Sequence, residues 1–166
     1  MAGRLAGIKV VLVDDDADVL QAMAAVFEAE GAITRTVADG NEAVRVCQED
    51  PPELVVLDMM LPKRSGFLVL EKIKGYEDAP IVIMLTANEG RRHQAYAESL
   101  GVDTYMLKPV PLERLLAKSA ELLAARAAEK AAPAAKKPRT KGADAADGGD
   151  AKPAKEAKPG KSGGKA

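Results

Sequence analysis

Asp58 follows Leu54-Val55-Val56-Leu57 directly, an all-apolar run too short for a helix and suited to a buried parallel strand. A carboxylate at the exit of such a strand lies at the carboxyl end of a sheet, where open α/β folds bind ligands. Its chemistry would be that of a carboxylate nucleophile that becomes phosphorylated. Four other polar residues stand at equivalent places: Asp14 and Asp15 after Ile8–Val13, Thr86 after Ile81–Leu85, and Lys108 after Asp103–Leu107. If these strands lie side by side, the five residues meet in one crevice.

Charge counting says what that crevice needs. Three carboxylates and one ammonium sum to −2, which is unfavourable in a partly dry cleft. A hard divalent cation cancels that sum, and Mg2+ suits a few carboxylates, a backbone carbonyl and waters. Phosphorylation would replace the charge of Asp58 by a group of about −2. Metal and lysine together would then bring the product to a net of −1.

The elements that must position these residues alternate five times. The spacing predicts strands over Ile8–Val13, Ala32–Val37, Leu54–Leu57, Ile81–Leu85 and Asp103–Leu107. Helices are predicted over Ala17–Glu30, Asn41–Glu49, Phe67–Lys74 and Glu89–Leu100, and a last one opens at Pro111. Asp16 is a good N-cap for the first helix, Gly31 stands at its C′ position, and Asp39-Gly40-Asn41 reads as a turn. Strands apolar on both faces and joined by helices make a parallel sheet covered on both sides. The fold class is therefore α/β, a doubly wound five-stranded parallel sheet with five helices, for which the strand order 2-1-3-4-5 fits.

The charges are segregated along the chain. From Pro133 to the end nine Lys+Arg face four Asp+Glu, a net of +5, which leaves 15 basic and 21 acidic residues, a net of −6, in the first 132. The last stretch contains no Val, Ile, Leu, Met, Phe, Tyr or Trp. It can bury too little to offset the ~1–2 kcal/mol per residue that ordering a backbone costs. The organisation expected is an N-terminal extension at 1–7, a domain at 8–130 with the Ala-rich end of the last helix fraying, and a disordered basic tail at 131–166. With one cysteine, Cys47, no intramolecular disulfide forms, and Cys47 reads as a small apolar helix residue. No apolar run approaches the ~20 residues that span a bilayer, and the start is no signal peptide, so no membrane insertion and a cytoplasmic location are expected.

At this point the pattern resembles the receiver domain of two-component response regulators, of the stand-alone chemotaxis-regulator kind, with its flavodoxin-like three-layer sandwich. Val13-Asp14-Asp15-Asp16, Leu57-Asp58-Met59-Met60-Leu61-Pro62 with Gly66, Leu85-Thr86-Ala87 and Lys108-Pro109 carry the resemblance, over about residues 7 to 130. It implies a phosphoacceptor in a phosphorelay: Asp58 takes a phosphoryl group from a sensor histidine kinase or a phosphotransfer protein. Asp14, Asp15, Asp58 and the backbone carbonyl of Met60 would hold Mg2+. Lys108 would contact the phosphoryl oxygens, Thr86 would donate its hydroxyl to them, and the Lys108-Pro109 bond would be cis. Thr86 and Tyr105 would form the switch, changing the face made by the fourth helix, fifth strand and fifth helix for a downstream protein. Met60 and Asn88 are the positions that flank the attacking water in such domains.

Two other readings compete. Lys136-Lys137-Pro138-Arg139-Thr140-Lys141 and the later Lys-Pro repeats resemble polyanion-binding tails, which gives the alternative of a receiver whose tail adds weak, non-specific nucleic-acid contact. An enzyme of the haloacid dehalogenase type would need a second acid at Met60, so the chain is expected not to be an enzyme beyond slow self-dephosphorylation. The only histidine, His93, reads as solvated surface of a polar helix.

Overall fold

The computed structural model describes residues 2–87 and 90–131. Of the two units into which the chain divides, Met1–Ala132 and Pro133–Ala166, the second, which holds the expected tail and its polyanion contact, lies outside the described residues, as does Asn88. Five strands, β1 (Lys9–Val13), β2 (Ile33–Val37), β3 (Leu54–Asp58), β4 (Ile81–Thr86) and β5 (Thr104–Leu107), alternate with five helices. These are α1 (Ala17–Ala29), α2 (Gly40–Glu49), α3 (Gly66–Lys74), α4 (Arg91–Ser99) and α5 (Leu112–Ala131). All strand pairings are parallel, and the order is β2-β1-β3-β4-β5. This is the flavodoxin-like arrangement expected.

The apolar strands are explained by where their alternate side chains go. Val11, Val13, Val55, Leu57, Val82 and Met84 enter a core shared with Val44, Cys47, Val69, Leu70, Ile73 and Ala97 of α2, α3 and α4. The residues between them, Val10, Leu12, Leu54, Val56, Ile81, Ile83 and Leu85, enter a second core with Leu20, Met23, Phe27, Leu115 and Leu116 of α1 and α5. Both faces of the central strands β1, β3 and β4 are thus dry, and on these strands a polar residue is buried only at the carboxyl end.

Four readings are refined. Leu5 is fully buried in the second core. Arg4 pairs with Glu30 and Glu113 at 2.9 Å each, and the Leu5 and Gly7 amides donate to the Glu30 and Gly31 carbonyls. The segment set apart as residues 1–7 therefore packs into the domain from Gly3 onward. The end of α5 continues as helix to Ala131 where fraying was expected, because its Ala, Glu, Lys and Arg are strong helix formers. Asp39 is more than a turn residue: its carboxylate accepts the Glu42 amide at 2.9 Å and caps α2, which begins at Gly40. His93 is half-buried, stacked on Phe67 of α3 with ring centroids 5.9 Å apart, so the solvated-surface reading is corrected. A polar helix pattern did not reveal that Phe67 reaches across to α4.

Candidate phosphoryl-acceptor site

The site is assembled where β1, β3, β4 and β5 end. Parallel register brings Val13 beside Leu57, Asp58 beside Leu85, and Thr86 beside Leu107. The polar residues that end these apolar runs, Asp14, Asp58, Thr86 and Lys108, therefore come together at one end of the sheet.

Asp14 and Asp58 are almost wholly buried, at 1% and 5% exposure, and Thr86 is fully buried, whereas Asp15 is exposed. The sequence presented Asp14 and Asp15 as an equivalent pair; the structure makes one internal and the other solvent-facing. Lys108 Nζ reaches Asp14 Oδ2 at 2.8 Å and Asp58 Oδ2 at 3.1 Å. The remaining oxygens are bound from the backbone: the Asp16 amide donates to Asp14 Oδ1 at 2.9 Å and the Met60 amide to Asp58 Oδ1 at 3.2 Å. Both buried carboxylates are therefore oriented by one side-chain cation and one N–H each.

Carboxylate oxygens of Asp14, Asp15 and Asp58 can all lie within 4.8 Å of one another. Hard oxygen donors, two of them fixed and one open to water, fit a cation that retains part of its hydration shell, as Mg2+ does. The electrostatics agree. Burial raises the Asp58 carboxyl above its ordinary range, with Asp14 adding to the rise, against the lowering by the Met60 amide and Lys108. Burial of Lys108 works against its charge, but hydrogen bonds to Asp14 and Asp58 outweigh it and the ammonium is held above its usual value. The lysine remains charged, and it alone does not neutralise the cluster.

The loops that frame the cluster are tightly tied. The Met59 amide donates to Leu85 O, the Gly66 amide to Met59 O, and the Lys108 amide to Thr86 O, at 2.9, 2.9 and 2.7 Å. A Cβ on Gly66 would lie 2.5 Å from Asp58 O and 2.7 Å from Met59 Cα, so the start of α3 lies hard against Asp58. The Thr86 hydroxyl is 3.6 Å from Met59 Sδ, beneath the cluster. The Lys108-Pro109 bond is cis, as expected. Tyr105 is half-buried against the first core and borders a groove of about 260 Å³ between α4, β5 and α5, with Gln94, Leu107 and Arg114. The Met60 side chain is 68% exposed beside Asp58.

The structure thus brings together Asp14, Asp15, Asp58 and Lys108, sets Thr86 below them, and places Tyr105 on the neighbouring groove. What the sequence did not show is that Asp14 is the closest partner of Lys108, and that Gly66 is required by its contact with the backbone of Asp58 and Met59. A motif Gly marks only a position; the backbone it touches is revealed by the fold.

A family model described as a response regulator receiver domain matches residues 10–120. Among solved structures, a CheY-like response regulator receiver domain protein from Methanospirillum hungatei is 27% identical, with a TM-score of 0.72 over 75% of this chain and 99% of that one. The signal receiver domain of a Luxo repressor protein from Vibrio parahaemolyticus is 25% identical, with a TM-score of 0.71 over 75% of this chain and 96% of the other. The BeF3-activated N-terminal receiver domain of Klebsiella pneumoniae RstA is 28% identical, with a TM-score of 0.65 over 69% and 97%.

Proposed function

Because the chain belongs to the response regulator receiver family, we propose that Asp58 accepts a phosphoryl group from a histidine kinase or phosphotransfer protein, and that the α4-β5-α5 face reports the event to a downstream protein. The observation that carries this reading is the placement of Lys108 Nζ between the buried carboxylates of Asp14 and Asp58. An ammonium held there meets the oxygens of a group arriving on Asp58.

In the transfer, a carboxylate oxygen of Asp58 forms a bond to phosphorus as the bond from phosphorus to the donor imidazole nitrogen breaks. The imidazole leaves with the electron pair of that bond, as neutral imidazole where its other nitrogen already carries a proton, and otherwise takes up one proton from water. Lys108 offsets the charge of the transferred oxygens as a point charge. Asp14, Asp15, Asp58 and the Met60 carbonyl would hold Mg2+, which supplies the charge that Lys108 leaves uncancelled. Asp14 acts by position, keeping Lys108 aimed at the acceptor.

The Thr86 hydroxyl, at Met59 Sδ in this state, turns toward the phosphoryl oxygens and leaves space into which Tyr105 moves. Tyr105 borders the α4-β5-α5 groove, so its displacement changes the surface a partner meets. A switch of this kind requires that the phosphoryl group and the partner prefer the same one of two states. The protein acts as a signalling module in the cytoplasm, without turnover of a substrate beyond slow hydrolysis of its own acyl phosphate. No described helix is long and apolar enough to cross a membrane.

Labelling by radioactive acetyl phosphate with Mg2+ tests the assignment. Wild type incorporates label, and Asp58→Asn does not; label persisting on the variant overturns the reading.

A further inference from the structure

The β3–α3 loop carries a second charged feature, away from the carboxylate cluster. A concavity of about 720 Å³ between α2 and α3 is lined by Lys63, Arg64 and Lys72, with Asn41, Leu68 and Tyr76. Glu71 is the one acid on its wall, which leaves the lining at a net of +2. This stands against a net of −6 over the first 132 residues. The cations are also poorly compensated within the domain. Among the described residues neither Arg64 nor Lys72 has a carboxylate partner, and Lys63 reaches Asp39 only at 3.5 Å.

Two features fix the backbone that carries Lys63 and Arg64. Lys63 has a φ of 66°, a left-handed conformation that a non-glycine residue adopts at a cost. Arg64 is half-buried, and a Cβ on Gly40 would lie 2.4 Å from its carbonyl oxygen and 2.7 Å from its own Cβ. The start of α2 therefore fixes the base of the Arg64 side chain. Burial holds the Tyr76 phenol above its ordinary range, and the Arg64 guanidinium is close enough to oppose that rise slightly.

From this arrangement we infer that the α2–α3 concavity binds a phosphate-bearing small molecule of nucleotide size. The volume lies within the ~300–1,000 Å³ usual for small-ligand sites. One guanidinium and two ammonium groups on a single hollow match the charge of a di- or triphosphate, the guanidinium by its fork and the lysines as point charges. Leu68, 52% exposed, and the Tyr76 ring supply an apolar wall for the remainder of such a molecule. An extended acidic peptide would instead need cations strung along a helix face. Here they converge on one hollow. The binding does not depend on phosphorylation of Asp58.

The test uses the full chain, 15N-labelled, in magnesium-free buffer with EDTA, titrated with ATP, pyrophosphate and inorganic phosphate. Asp58→Asn is used as the background so that no probe phosphorylates the protein. The expected result is saturable shifts of the Asn41, Lys63, Arg64, Lys72 and Tyr76 amides with ATP, weaker ones with pyrophosphate, and at least a tenfold loss of affinity in Arg64→Ala and in Lys72→Ala. Lys72→Arg, which keeps the charge, retains binding, and unchanged amide positions elsewhere show that the variants fold. Shifts confined to residues beyond 132 or to the surroundings of Lys108, or tighter binding of an oligoglutamate peptide at the same amides, would overturn the inference.

Discussion

Lys108→Met keeps most of the side-chain length and removes the charge between Asp14 and Asp58. In the wild type the ammonium lies 2.8 and 3.1 Å from the two carboxylates, which are 1% and 7% exposed at the side chain. Each contact is worth about 5 kcal/mol of gross Coulomb energy at an effective dielectric constant of ~20, most of it consumed by desolvation. Breaking a buried pair costs about 3–5 kcal/mol because a buried charge is left uncompensated. Lys108 is 28% exposed, so water screens part of this and the low end applies, ~3 kcal/mol. For a domain of this size that corresponds to a fall in Tm of about 12 °C, at ~4 °C per kcal/mol. The account adds a metal dependence: in saturating Mg2+ the deficit should shrink to less than half, since a second cation then serves the same carboxylates. Urea and thermal unfolding of both proteins, in EDTA and in Mg2+, supply the four numbers needed. A deficit below about 1 kcal/mol in EDTA, or one that Mg2+ leaves unchanged, would refute the view that Lys108 and the metal share one charge deficit.

Other perturbations follow from the same geometry. Gly66→Ala forces a Cβ to within 2.5 Å of Asp58 O; the expected cost is ~1–3 kcal/mol in stability, together with slower labelling by acetyl phosphate, measured by urea unfolding and initial rates. Asp58→Asn should stabilise the metal-free protein at neutral pH, because burial holds the Asp58 carboxyl above its ordinary range. A raised acid makes ionisation costly in the folded state only. That cost is present above the folded value and disappears as pH falls toward the unfolded value of ~3.9, so the advantage of the variant, read by unfolding at several pH values, should vanish on acidification. The Cys47 thiol is buried and pushed up to about 12. Its reaction with a disulfide reagent at pH 8 should be about a thousandfold slower in native than in unfolded protein, and a rate near that of a free thiol would show that α2 opens readily.

Much of the site was legible because its chemistry is written at strand ends. Leu54–Leu57 had to be buried, Asp58 had to leave the sheet at its carboxyl end, and Asp14, Thr86 and Lys108 occupied the same place on other strands. The alternation of strands and helices then supplied the neighbourhood. What was not legible depends on packing between elements distant in sequence. Nothing in Asp14-Asp15-Asp16 distinguishes the buried member from the exposed one; the direction in which β1 leaves the sheet decides it. Leu5 fell in the segment expected to be an extension at 1–7, yet it closes the core under α1 and α5, and Arg4 beside it pairs with Glu30 and Glu113. His93 has no apolar pattern around it, and only the approach of Phe67 from α3 explains its stacking. Arg64 likewise gave no sign that Gly40 lies against its backbone.

The central claim is that one phosphoryl group is carried as an acyl phosphate on the side chain of Asp58. The measurement that tests it most directly is borohydride reduction of acetyl-phosphate-treated protein in Mg2+, followed by peptide mass spectrometry. Reduction converts an aspartyl phosphate to homoserine and leaves phosphate esters intact. The account predicts homoserine at position 58 and nowhere else, absent when Mg2+ is replaced by EDTA. Homoserine at Asp14 or Asp15, or a borohydride-resistant phosphate on Thr86, would contradict it.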